Sequence, residues 1–149
     1  MPEPVIGTLS LTSDPATFRS VRRWVIGAAH GAGLGDEEAA ALAIALTESC
    51  ANVYRHAYGG RRDGLIELSM RAEPERVVTT VRHRGVPFDP ARYAPPDLSR
   101  PEEGGYGMYL ISRLVDAVSF HTVPGGGSIE LITERRVRCG APARQRGAS

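Results

Sequence analysis

The sequence predicts an α+β fold, a two-layer sandwich whose mixed, mostly antiparallel sheet carries its helices on one face. Three observations support this. The segments, read by hydrophobic period, run β-α-α-β-β-loop-α-β-β. Four of the five strand segments come as two closely linked pairs, which favours antiparallel hairpins. At 149 residues, 42% hydrophobic and 23% charged, the chain has the size and composition of one domain with a proper core.

Residues 5–11, VIGTLSL, read as a first strand. Asp14-Pro15 offers an N-cap and a first-turn proline to a helix with Phe18, Val21, Val25 and Ala29 at helical spacing, ending in the glycines near 31–35. Asp36 is placed to cap a second helix, with Glu37 and Glu38 in its first turn. Its apolar stripe is Leu42, Leu46, Cys50 and Val53, and Gly59-Gly60 stops it. The alternating segments 64–72 and 76–84, joined by Glu73-Pro74-Glu75, form the first hairpin. A loop rich in Pro, Asp and Arg follows from Val86 to Glu103, long enough to expect a functional role. A helix starting near Gly105 carries Met108, Ile111, Leu114 and Val115 inward. Residues 117–123, the turn Pro124–Gly127 and residues 128–136 close the fold as a second hairpin. Residues 1–136 thus read as a single domain and 137–149 as a frayed tail.

The net charge is +1 with interspersed signs, so no basic face for direct nucleic-acid binding is expected. All 18 basic residues are arginine. The absence of lysine excludes a Walker-type phosphate loop and Schiff-base chemistry. A bound phosphate would have to be neutralised by backbone N–H groups, arginine or a metal. Cys50 and Cys139 show no CxxC or Cys/His ligand spacing, and no disulfide is expected between them. No apolar run approaches the ~20 residues of a membrane span, and MPEPVIGTLS lacks the regions of a signal peptide. A cytoplasmic domain with no membrane partner is the expectation.

Asn52 is the only asparagine in the chain and follows Glu48 by four residues, so Glu48, Asn52 and His56 form one polar row on the second helix. An Asn amid alanines costs several tenths of a kcal/mol of helix propensity, with no local return. Its amide oxygen is a hard ligand suited to Mg²⁺, and Glu48 has the chemistry of a general base for a hydroxyl. The bland readings are a solvated glutamate, an Asn bonded to nearby backbone and a His capping helix carbonyls. Gly104, Gly105 and Gly107 surround the start of the third helix, where backbone N–H groups and the helix dipole suit phosphate oxygens. Together the two signals point to nucleotide phosphate chemistry.

The set ExxxN with HAY behind it, a strand running into xxGxPFDP, and a loop into GGxGMxLI is similar to the bacterial anti-sigma factor serine/threonine kinases. These belong to the GHKL (Bergerat-fold) ATPases, together with histidine kinases. The likeness runs from about residue 10 to 135, with the three motifs in the family's order. It implies ATP and Mg²⁺ as cofactors, an anti-sigma antagonist of STAS type as phosphoacceptor, and a sigma factor as the sequestered partner. The homodimer usual in the family is also implied. By the same resemblance, Glu48 is the catalytic base, Asn52 the Mg²⁺ ligand and Gly85 the glycine below the adenine. Gly105 and Gly107, with Met108 beside them, match the lid around the phosphates, and Ser128 stands where relatives carry a Thr near the adenine.

The chain departs from the pattern at one position. His83 occupies the place of the Asp that accepts a hydrogen bond from the adenine amino group in DxGxPFDP. Losing a charged hydrogen bond costs roughly 1.5–3 kcal/mol, or one to two orders of magnitude in affinity. The alternative expectation is therefore a non-catalytic anti-sigma or regulatory binding module with weakened or altered nucleotide binding. A sensor histidine kinase ranks below both, because the chain carries no dimerisation helix pair with a phosphoacceptor histidine.

Overall fold

Five strands form one sheet in the order β1-β2-β3-β5-β4, with every neighbouring pair antiparallel. The strands are β1 (Val5–Thr12), β2 (Leu65–Ala72), β3 (Arg76–His83), β4 (Ala117–Val123) and β5 (Gly126–Glu134). The helices are α1 (Arg19–Gly31), α2 (Asp36–Asn52) and α3 (Tyr106–Leu114). The computed structural model describes residues 5–89, 91, 99 and 106–135. Gly104, Gly105, most of the 86–103 loop and the tail 137–149 lie outside the described residues.

Alternation sorts the sheet into two faces. Ile66, Leu68 and Met70 of β2, Val77 and Val81 of β3, and Ile129 and Leu131 of β5 are buried in one cluster with Val21, Val25, Leu42, Leu46, Cys50 and Ile111 from the helices. Burying a side chain such as Leu46 stabilises the fold by about 1.5–3 kcal/mol. The opposite face carries Ser10, Glu67, Thr80, Arg82 and Glu130. All three helices therefore cover one side, as the sequence predicts. The expected admixture of parallel pairing is absent among the described strands, because each pair is a direct hairpin or the antiparallel β1–β2 and β3–β5 pairings.

The helix starts differ from the sequence reading. Asp14 does cap a turn, accepting from the Ala16 N–H at 3.0 Å, but that turn is a 3₁₀ segment, Pro15–Thr17. α1 begins only at Arg19. The cap of α2 is Gly35, whose N–H donates to Glu38 Oε1 at 2.9 Å. Asp36 is instead the first helical residue and pairs with His30 at 2.8 Å. The end of α2 also departs from regularity. After Asn52 the helix widens into a π turn, Val53–Ala57, closed by the Tyr58 N–H on Val53 O at 2.9 Å. Tyr58 holds that geometry from outside the helix. Its hydroxyl donates to Leu65 O at 2.6 Å and accepts from the Arg84 N–H at 2.8 Å, which ties the π turn to the beginning of β2 and the end of β3.

Candidate active site

The C-terminal end of α2, the exit of β3 and the first turn of α3 meet at one end of the sandwich. Gly107, in the first turn of α3, faces α2 so closely that a Cβ there would lie 3.0 Å from Asn52 Oδ1 and 3.2 Å from Glu48 Oε1. The two polar residues four apart on α2 thus converge on the same point. Asn52 Oδ1 also accepts from Arg55 Nη2 at 2.9 Å, so the oxygen that would take a cation is already held by one.

Beside this point lies a cavity that opens to solvent. Asn52, Val53, His56 and Ala57 form one wall, Val86, Pro87 and Phe88 another, and Met108, Phe120, Ile129 and His83 complete it. Phe88 packs on Phe120 with ring centroids 4.3 Å apart. His56 reaches the cavity through the π turn, not as a third member of a regular helical row. Glu48 also borders a groove between α1 and α2, lined by Phe18, Arg19, Arg22, Ala43, Ile44 and Thr47.

His83, the last residue of β3, is buried at 4% exposure and pairs across the sheet with Ile66 and Gly127. Its Nδ1 accepts from the Gly85 N–H at 3.2 Å. Burial pushes its pKa below the ordinary 6.5. The folded chain therefore takes up this proton less readily than the unfolded chain, so the His83 contribution to stability is complete above about pH 6.5 and declines as pH falls through the lowered value. Denaturation midpoints followed from about pH 7.5 to 5 should decline less steeply in His83→Gln than in the natural chain. Identical slopes would assign the titration to another group. Burial has the opposite effect on Cys50, pushing its thiol up to about 12 and leaving it a core residue without reactivity.

Gly85 is not part of the cavity wall. A Cβ there would overlap the carbonyl of Ala57, and the Val86 N–H donates to that same carbonyl at 2.9 Å. This glycine sets how closely β3 approaches the end of α2. Ser128 does not share the cavity face of His83. Its register partners are Arg82 and His121, so it lies on the sheet face opposite His83. Strand alternation places Gly127 and Ile129 on the cavity face instead. Met108 lines the cavity as expected, while Gly105 lies outside the described residues. The sequence reading missed Gly127, which looked like part of a glycine turn, and Phe120, whose only signal was its place in a strand.

For a metal, the oxygens of Asn52 and Glu48 are hard donors of the kind Mg²⁺ accepts. No cluster of three or more His, Cys, Asp or Glu side chains occurs among the described residues.

The class of this α+β sandwich follows from comparison with known families. The model described as the histidine kinase-like ATPase domain matches residues 11–133, and the chain belongs to that family. Serine-protein kinase RsbW of Bacillus cereus (strain AH187) is 31% identical over 107 residues, covering 66% of each protein, just under two thirds of that relative's length. RsbW of Listeria monocytogenes serovar 1/2a is 29% identical over 140 residues, 87% of this chain and 89% of that one. The fold is also similar to that of the RsbU and RsbW domains of Rv1364c from Mycobacterium tuberculosis, with TM-score 0.59 and 20% identity over 89% of this chain and 34% of that one. The histidine kinase domain of the Erythrobacter litoralis EL346 blue-light activated kinase follows at TM-score 0.51 and 17% identity, covering 80% of this chain and 59% of that one. No described helix is long and apolar enough to cross a membrane.

Proposed function

We propose that this chain is an Mg²⁺- and ATP-dependent protein serine/threonine kinase acting as an anti-sigma factor, which phosphorylates an anti-sigma antagonist of STAS type and sequesters a sigma factor. The convergence of Glu48 Oε1 and Asn52 Oδ1 on the first turn of α3, beside the cavity, carries this reading. Glu48 accepts the proton of the attacking hydroxyl, and its second opening toward the α1–α2 groove gives a protein substrate a path to it. Asn52 is the residue to hold Mg²⁺, which when bound neutralises charge on the transferring phosphoryl group. Arg55, already on Asn52, is free to turn to phosphate in a chain without lysine. His83 and Met108 bound the base and phosphate regions, Gly107 leaves space at the α3 turn, and Gly105 belongs to the same motif.

Calorimetric titration of the purified chain with ATP, with and without Mg²⁺, tests the site. Saturable binding that strengthens with Mg²⁺, and an Asn52→Ala variant that loses this Mg²⁺ dependence, are expected. The absence of binding by any nucleotide would favour the second reading, a partner-binding module that keeps the fold without the fuel. The imidazole of His83 at the base end is the observation that favours that alternative.

A further inference from the structure

We infer that the base end of the cavity is built to receive a hydrogen-bond acceptor, so that a 6-oxopurine nucleotide fits it better than an adenine nucleotide. The inference rests on reading this cavity as a nucleotide site.

The geometry of His83 assigns its two nitrogens. The Gly85 N–H donates to Nδ1 at 3.2 Å, so Nδ1 is unprotonated and the neutral ring carries its hydrogen on Nε2. Turning the ring over would set a carbon against that N–H and lose the bond. Packing also fixes the orientation. Tyr58 meets the imidazole edge-on with centroids 6.1 Å apart, and a Cβ at Gly127 would lie 2.9 Å from Nε2 and 3.0 Å from Cε1. The histidine and the bare glycine are a matched pair, since any side chain at 127 would compete for the space the ring edge occupies. Nε2 has no hydrogen-bond partner among the described residues, and His83 lines the cavity. Its N–H is therefore open to a ligand's acceptor.

A carboxylate at this position accepts, and so suits the 6-amino group of adenine. Nε2–H donates, and against that amino group it sets donor to donor. The 6-carbonyl of hypoxanthine or guanine supplies the matching acceptor. The sequence alone leaves open which tautomer His83 adopts; the Gly85 N–H decides it.

Calorimetry with the Mg²⁺ complexes of ITP and ATP isolates the effect, because the two share sugar and triphosphate and differ at position 6 and the adjoining N1. ITP is expected to bind the natural chain about tenfold more tightly, equivalent to about 1.4 kcal/mol. His83→Asp should reverse the order in favour of ATP. Equal affinities, or tighter ATP, in the natural chain would overturn the inference while leaving the nucleotide site intact, and this comparison stands even where the variant does not fold. Failure of both nucleotides to bind would overturn the nucleotide-site reading and the inference with it.

Discussion

Glu48→Gln is expected to lower phosphoryl transfer to the antagonist protein by about 10²–10⁴-fold, the range for removal of a general base, while nucleotide affinity stays nearly unchanged. Glutamine has the size of glutamate and keeps an oxygen to face Gly107, but its amide cannot take a proton at neutral pH. The two readouts separate because Glu48 borders the α1–α2 groove and is not among the residues lining the cavity. The variant should also keep the fold, since Glu48 makes no ion pair with another described residue that its charge would be needed to hold. Single-turnover transfer of labelled phosphate measures the first quantity and calorimetry the second. Transfer at the natural rate would defeat the role of Glu48 as base. A parallel loss of nucleotide binding would make it a structural support of the site.

Most of the fold was legible in the sequence because its signals are local. The period-two segments of β2 and β3 are found within a residue of their expected ends, and the Leu42, Leu46, Cys50 stripe of α2 is buried as expected. What escaped depends on contacts distant in the chain. The π turn at 53–57 is stabilised by the Tyr58 hydroxyl bridging Leu65 and Arg84, and nothing in VYRHA itself announces it. The placement of β3 beside β5 requires a pairing across some fifty residues. Glu48 and Asn52 could be found because a helix brings residues four apart to one face. Ser128 was assigned by resemblance alone, and a strand gives adjacent residues opposite faces, so it is Gly127 that shares the face of His83. The tautomer of His83 is set by a backbone N–H two residues away and has no signature in residue type.

The second large effect is expected at Gly85, where alanine should lower stability by about 2–4 kcal/mol through overpacking and a weakened hydrogen bond. Its Cβ would overlap the Ala57 carbonyl, and a backbone carbonyl within a helical turn cannot swing aside as a side-chain tip can. Relief requires β3 to withdraw from the end of α2, which strains the Val86 N–H bond to Ala57 O at 2.9 Å and the Arg84 N–H bond to the Tyr58 hydroxyl at 2.8 Å. At about 2–4 °C per kcal/mol for a domain near this size, the melting temperature should fall by roughly 5–15 °C. Gly27→Ala is the control, because nothing lies within 4 Å of a Cβ at that position in the middle of α1. It should raise stability by about 0.5–1 kcal/mol as helix entropy is recovered. The two glycine-to-alanine changes thus have opposite signs for a reason visible only in three dimensions. Withdrawal of β3 also shifts Val86, Pro87 and Phe88, one wall of the cavity, so Gly85→Ala should weaken nucleotide binding at temperatures where the variant is fully folded. A Gly85→Ala protein melting with the natural chain would show that the contact with Ala57 is loose. One that is destabilised yet binds nucleotide normally would show that the Val86–Phe88 wall is positioned independently of β3.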